Sequence, residues 1–135
     1  MNRYLSLILA VVCLPALLCA EVKVFNNPRE KNWIDQDTYF TYEFSKRPAI
    51  GLLVVKIKVF DRTNTQKSDF LIQGVSGMPS MGTAHDSPLT SFKQSRKGDY
   101  LLPVNIVMLG TWEVRVRFIK RKKERYAGSI RFDVK

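Results

Sequence analysis

The clearest pattern along the chain is an alternation of apolar and polar residues, which is typical of half-buried β-strands. From Trp112 to Phe118 every second residue is apolar, and the residues between them are charged. Residues 52–60 behave similarly, with Leu53, Val55, Ile57 and Val59 on one face and two lysines on the other. Strands are predicted over residues 38–44, 52–60, 69–75, 100–108, 112–120 and 128–135, with a further short strand over 89–92.

This spacing of short strands, with no helical period over a dozen residues, predicts an all-β fold. The expected architecture is an immunoglobulin-like two-sheet β-sandwich. Pro103 lies inside one strand and favours an edge position or a bulge there, because proline cannot donate to a ladder. The sequence from Lys120 to Arg125, KRKKER, predicts a polar tip between the last two strands.

Residues 1–20 have the three-part organisation of a secretory signal peptide. Arg3 forms a short basic start, the run Leu5–Leu18 is apolar, and Ala20 provides a small residue for cleavage. A membrane-spanning helix is the alternative, but the apolar run contains Pro15 and is shorter than the roughly 20 residues that a span needs. We therefore predict export to the periplasm, cleavage near Ala20, and a single domain over residues 21–135.

Both cysteines lie within the predicted signal peptide, so the mature chain has no thiol for a disulfide or a thiolate site. The formal charge of the full chain is +10, and removal of Arg3 with the signal leaves +9. Such a charge favours acidic proteins or anionic membranes as partners, and export argues against nucleic acid. The residues expected to form a basic face are Lys56, Lys58, Arg115, Arg117 and the tip at 120–125.

The long irregular stretch over residues 76–98 is rich in glycine and proline, and loops of this length in compact domains are usually functional or mobile. It contains Met78, Met81 and His85 within eight residues. Thioether and imidazole groups without thiolates suit Cu(I) better than harder metals. Met108 is a further candidate metal ligand, because a turn at Gly110 could bring it to the same end of the domain. The alternative is that these methionines only plug the end of the core.

Several of these residues resemble a known family. The matching segments are Met78-x-x-Met81, Gly98-Asp99-Tyr100 and Met108-x-Gly110-x-Trp112-Glu113-Val114. They are similar to the methionine-containing loop, the G-x-Y strand and the G-x-W strand of the YtkA-like and FixH-like exported bacterial domains. The resemblance covers roughly residues 51–135. It implies an immunoglobulin-like sandwich, a link to copper handling or haem-copper oxidase assembly, metal ligation by Met78, Met81 and His85, and a core or site-wall role for Trp112.

The function predicted from the sequence is that of a periplasmic metal-binding accessory protein. The first hypothesis is a Cu(I) chaperone or a partner of a copper efflux pump or of haem-copper oxidase assembly, with a membrane transporter or oxidase-assembly protein as its partner. The alternative is a non-metal interaction module that docks an acidic protein or a membrane surface through its basic face. An enzyme is not expected, since a lone histidine without cysteine offers no usual acid–base pair.

Overall fold

The computed structural model describes residues 21–135, and the predicted signal peptide lies outside them. Nearly all of the regular structure is β-strand, with one 3₁₀ turn at Pro79–Met81. No helix within the described residues is long and apolar enough to cross a membrane. The strands are β1 Val24–Phe25, β2 Asn32–Trp33, β3 Thr38–Phe44, β4 Gly51–Asp61, β5 Gln66–Lys67, β6 Leu71–Gly77, β7 Thr90–Ser91, β8 Lys93–Gln94, β9 Tyr100–Ile106, β10 Gly110–Lys120 and β11 Lys123–Val134.

The strands form two sheets. The first sheet has the order β1-β11-β10-β6-β7, and the second has the order β2-β3-β4-β9-β8 with β5 also paired to β4. Neighbouring strands are antiparallel except for β1 and β11, which pair in parallel. The predicted all-β two-sheet sandwich is therefore confirmed, while the immunoglobulin-like subtype stays a prediction.

The core lies between the inward faces of the long strands, as the alternation predicted. The inward side chains of β4 and β10 are buried almost completely. Across the gap between the sheets, Phe40 of β3 packs against Phe118 of β10 with a ring-centroid distance of 4.6 Å. Burial of this apolar surface provides the main stabilisation of the sandwich. The fully buried residues at these positions include Leu53, Val55, Ile57, Val59, Val114, Val116 and Phe118.

The connection between the sheets differs from the sequence prediction. The short strand predicted over residues 89–92 is in fact two strands, because the chain leaves the first sheet after Ser91 and enters the second at Lys93. Phe92 lies at this crossing and is buried. The strand predicted over 69–75 is displaced to Leu71–Gly77.

β9 lies between β4 and β8, so the edge position predicted for Pro103 holds only for the part of β9 beyond β8. Pro103 pairs with Val54 of β4 in an uninterrupted register, so there is no bulge. On the other side of β9, the partner strand β8 reaches only Tyr100 and Leu101. The remainder of β9 therefore has a free edge, where a missing N–H costs no ladder bond.

The single basic face predicted from the sequence is wrong. Lys56 and Lys58 lie on the outer face of the second sheet, whereas Arg115 and Arg117 lie on the outer face of the first. The two outer faces point away from each other across the core. Three of these side chains also have acidic neighbours, since Lys56 lies 3.5 Å from Glu43, Arg117 lies 2.6 Å from Glu124, and Arg115 is paired with Asp86.

Candidate functional site

The candidate site lies at one end of the sandwich, which we call the methionine end. It consists of the loop over residues 78–89, between β6 and β7, and of the connection 107–109, between β9 and β10. β10 begins at this end with Gly110 and runs through 11 residues to Lys120 at the other. At about 3.4 Å per residue, the two ends are separated by roughly 35 Å.

The first part of the loop is a compact turn. Met78 has an extended backbone, and the Met81 N–H donates a hydrogen bond to the Met78 carbonyl oxygen over 3.0 Å. Gly82 follows with φ 65° and ψ −157°, a combination that is essentially restricted to glycine. The sequence Met-Pro-Ser-Met-Gly therefore folds back locally and turns Met81 toward Met78.

The end of the loop is fixed to the first sheet. The Ser76 N–H donates to Ser87 Oγ, and the Ser87 N–H donates to the Ser76 carbonyl oxygen, each over 2.8 Å. The Asp86 carboxylate accepts a hydrogen bond from the Arg115 guanidinium and also lies directly over Gly77. These bonds hold His85 beside the sheet. The Asp86 carboxylate is therefore engaged with Arg115 of β10.

The connection between β9 and β10 supplies Met108. Trp112 Nε1 donates a hydrogen bond to the Met108 carbonyl oxygen over 3.0 Å, which fixes the backbone of this short connection. Gly110 has φ 127°, and a Cβ atom at that position would lie only 2.8 Å from Met78 Cε. The absence of a side chain at Gly110 therefore allows Met78 to contact the connection that carries Met108.

The four side chains predicted as metal ligands line one small cavity. Its volume is about 120 Å³, and its walls are Met78, Met81, His85, Val107, Met108 and Trp112. Met78 forms the buried base with 9% exposure, whereas Met81 and Met108 are 38% and 41% exposed. Such a cavity has room for a single ion or a few water molecules.

The cavity also contains residues with other roles. Met78 belongs to the hydrophobic core, so the alternative in which it plugs the end of the sandwich remains open for that residue. Trp112, which the resemblance implied as a core or site-wall residue, is buried and lines the cavity. Val107 was not predicted as part of the site. It lies just after β9, and its place in the cavity depends on the loop that lies beside it.

The described part of the chain has no cluster of the side chains that a conventional hard-metal site uses. There, no three His, Cys, Asp or Glu side chains are grouped closely enough to hold a metal ion. Three thioethers and one imidazole remain as potential ligands at the methionine end. These ligands are soft or borderline, and they prefer Cu(I) to Mg²⁺ or Ca²⁺.

The methionine end is also the most apolar part of the protein surface. Among the described residues, seven of the eleven exposed large apolar side chains lie at this end or beside it. Beyond His85 and Trp112, the cavity borders a hollow of about 360 Å³ that extends along the free edge of β9. The seven apolar residues are Ile50, Leu52, Met81, Leu89, Val107, Met108 and Leu109.

Comparisons with known proteins give no match. No protein family, curated protein or solved structure is similar to this chain at a significant level.

Proposed function

We propose that the protein binds Cu(I) at the methionine end and transfers it to or from a partner protein in the periplasm. The observation that supports this proposal best is the convergence of Met108 with the three loop residues Met78, Met81 and His85. The three methionines other than Met1 and the only histidine of the chain all line one cavity. Such ligands bind Cu(I) through short-range soft bonds that the positive charge of the protein weakens little.

The exposure of the ligands favours transfer over permanent storage. Met81, Met108 and His85 lie at the surface, while Met78 forms the base of the cavity. A partner could therefore approach three of the four ligands without unfolding the domain. The surrounding apolar side chains provide the kind of surface that protein partners bury. The proposed partner is a membrane transporter or an oxidase-assembly protein, as the resemblance to the YtkA-like and FixH-like domains implies.

An anaerobic Cu(I) competition titration of the mature chain, residues 21–135, tests the proposal. The variant is Met78→Leu/Met81→Leu/His85→Asn/Met108→Leu, in which leucine preserves most of the packing of methionine while removing the sulfur. We expect one Cu(I) per chain in the parent and a loss of at least about a hundredfold in affinity in the variant, since all the proposed ligands are absent.

The matched control is Leu89→Ala/Leu109→Ala, which changes two exposed apolar residues of the same end without touching a proposed ligand. It should bind Cu(I) as tightly as the parent. Absence of Cu(I) binding in the parent, or equal binding by parent and quadruple variant, would contradict the proposal. X-ray absorption of the copper complex should show sulfur and nitrogen neighbours, and a spectrum without sulfur would assign the metal to another site.

A further inference from the structure

The end of the sandwich opposite the methionine end is a strained hairpin turn. β10 and β11 are joined by the two residues Arg121 and Lys122, and Lys120 pairs with Lys123 across the turn. Arg121 has φ 52° and Lys122 has φ 62°. Two-residue turns with this conformation strongly prefer Asn-Gly, because other L-residues are disfavoured at positive φ. The chain therefore has two long cations where the turn geometry favours small residues.

The same turn concentrates unpaired positive charge. Its neighbours Arg117 and Lys120 have acidic partners, since Lys120 Nζ lies 3.0 Å from Asp69. In the described part of the chain, no carboxylate lies within ion-pair distance of the other basic residues of the tip, and all of them are exposed. These residues are Arg121, Lys122, Lys123 and Arg125. We call residues 120–125 the basic tip.

We propose that the basic tip binds the headgroup surface of membranes that contain anionic phospholipids. The strain and the charge together indicate a binding role, since a turn selected for stability alone would have neither. The tip contains no apolar residue, whereas specific protein interfaces are usually centred on buried apolar or aromatic residues. A headgroup layer needs no such anchor, because it attracts clustered lysine and arginine side chains without fixed geometry.

Binding through the tip would also orient the protein. The methionine end lies at the other end of β10, roughly 35 Å away. A membrane-bound molecule would therefore present its methionine end to the solvent or to the exposed part of a membrane protein. The attraction itself does not depend on copper, so this inference does not require the proposed function.

Cosedimentation of the copper-free mature chain with vesicles tests the proposal. One set of vesicles contains phosphatidylcholine only, and the other contains phosphatidylcholine with about one third phosphatidylglycerol. The test variant is Arg121→Asn/Lys122→Gly, which removes two charges and introduces the preferred turn sequence. Because it should melt at a higher temperature than the parent, loss of binding could not be attributed to unfolding.

The matched control is Lys46→Gln/Arg47→Gln, which also removes one lysine and one arginine. Both residues are exposed and belong to the β3–β4 connection at the methionine end. Each cation near an anionic surface contributes about fivefold to binding, so we expect the tip variant to bind anionic vesicles about thirty-fold more weakly than the parent. The control should change much less, and binding should weaken with added salt.

Three results would overturn the proposal. One is the absence of binding to anionic vesicles at about 0.15 M salt, where attraction between exposed charges is only partly screened. The second is an equal loss of vesicle binding in the tip variant and the control, which would show that binding depends on the net charge of the protein and not on the tip. The third is binding of soluble polyglutamate as tightly as vesicles, with the same loss in the tip variant, which would assign the tip to acidic proteins.

Discussion

The methionine end and the basic tip are connected by the same strand, β10, but the chain builds them in opposite ways. At the methionine end a loop of twelve residues, 78–89, is fixed by hydrogen bonds to Ser76 and by the Asp86–Arg115 ion pair. At the tip the connection is two residues long and both have positive φ. A long loop can bring several side chains together at one point, whereas a short turn can only project them outward.

The two ends also differ in the chemistry of their surfaces. The methionine end exposes apolar and thioether groups, while residues 120–125 expose five cations and one carboxylate. A partner that recognises shape and soft ligands therefore suits one end, and a diffuse anionic surface suits the other. Because the ends are separated by the length of β10, we expect changes at one end to leave binding at the other unaffected.

The largest effect on stability is expected from Gly110→Ala. Alanine at φ 127° is strained, and its Cβ atom would lie 2.8 Å from Met78 Cε. The backbone strain should lower the free energy of unfolding by about 2–3 kcal/mol, as measured by urea denaturation, and displacement of the Met78 methyl group should add a smaller cost because it ends a flexible side chain. Displacement of Met78 should also weaken Cu(I) binding, while vesicle binding should not change.

Gly51→Ala is the matched control for this prediction. Gly51 has φ 114°, yet a Cβ atom there would contact nothing within 4 Å. The stability that this variant loses therefore measures the backbone strain alone. Any additional loss of stability in Gly110→Ala measures the contact with Met78. A double-mutant cycle with Met78→Ala should show a coupling of about 0.5 kcal/mol, since the flexible Met78 side chain can move aside at small cost. Equal losses at the two glycines, with no coupling, would contradict the packing described for the methionine end.

The sequence predicted the strands better than their arrangement. In β4 and β10 the apolar residues alternate so regularly that their inward faces could be assigned without a structure. Alternation separates inward from outward residues but does not assign a strand to a sheet. For this reason Lys56 and Arg115 were expected to share a face, although their strands belong to opposite sheets.

The candidate site could be predicted only in part, because the sequence shows which residues are neighbours along the chain but not which distant segments meet. Met78, Met81 and His85 are close in sequence, and the turn at Gly110 indicated that Met108 could join them. The anchoring of the loop depends on the contact of Arg115 in β10 with Asp86, 29 residues earlier, and the place of Val107 in the cavity depends on the same loop. A single sequence reveals neither contact. The strands β1 and β2 contain only two residues each, too few to produce a recognisable alternation.

A smaller change in stability, this time an increase, is expected from substitutions in the basic tip. Arg121→Asn/Lys122→Gly should raise the free energy of unfolding by about 1–2 kcal/mol, because both new residues accept positive φ more readily. The variant Arg121→Gln/Lys122→Gln should gain little stability but lose vesicle binding to a similar extent, since it removes the charge and keeps the strain. Neither should alter Cu(I) affinity, and a change in that affinity would show that the two ends are coupled.

The smallest change in stability at neutral pH is expected from Tyr42→Phe, a substitution in the core between the two ends. The Tyr42 hydroxyl is buried and has no hydrogen-bond partner among the described residues. Its removal should therefore change the free energy of unfolding by less than about 1 kcal/mol, with stabilisation the expected direction. Tyr100→Phe provides the contrast, because the Tyr100 hydroxyl accepts a hydrogen bond from the Phe70 N–H over 3.0 Å. This second variant should lose about 1–2 kcal/mol.

Alkaline pH should enlarge the difference between Tyr42→Phe and the parent. Burial, with a smaller contribution from the negative charge of Glu30, raises the pKa of Tyr42 to about 12 from its ordinary value of 10.0. The folded protein therefore keeps the phenolic proton after the unfolded chain has lost it. The resulting stability is fully present below pH 10 and is lost as the pH rises toward 12. Urea denaturation between pH 8 and pH 11 should show a steeper decline in the parent than in Tyr42→Phe, and parallel declines would mean that Tyr42 is accessible to solvent.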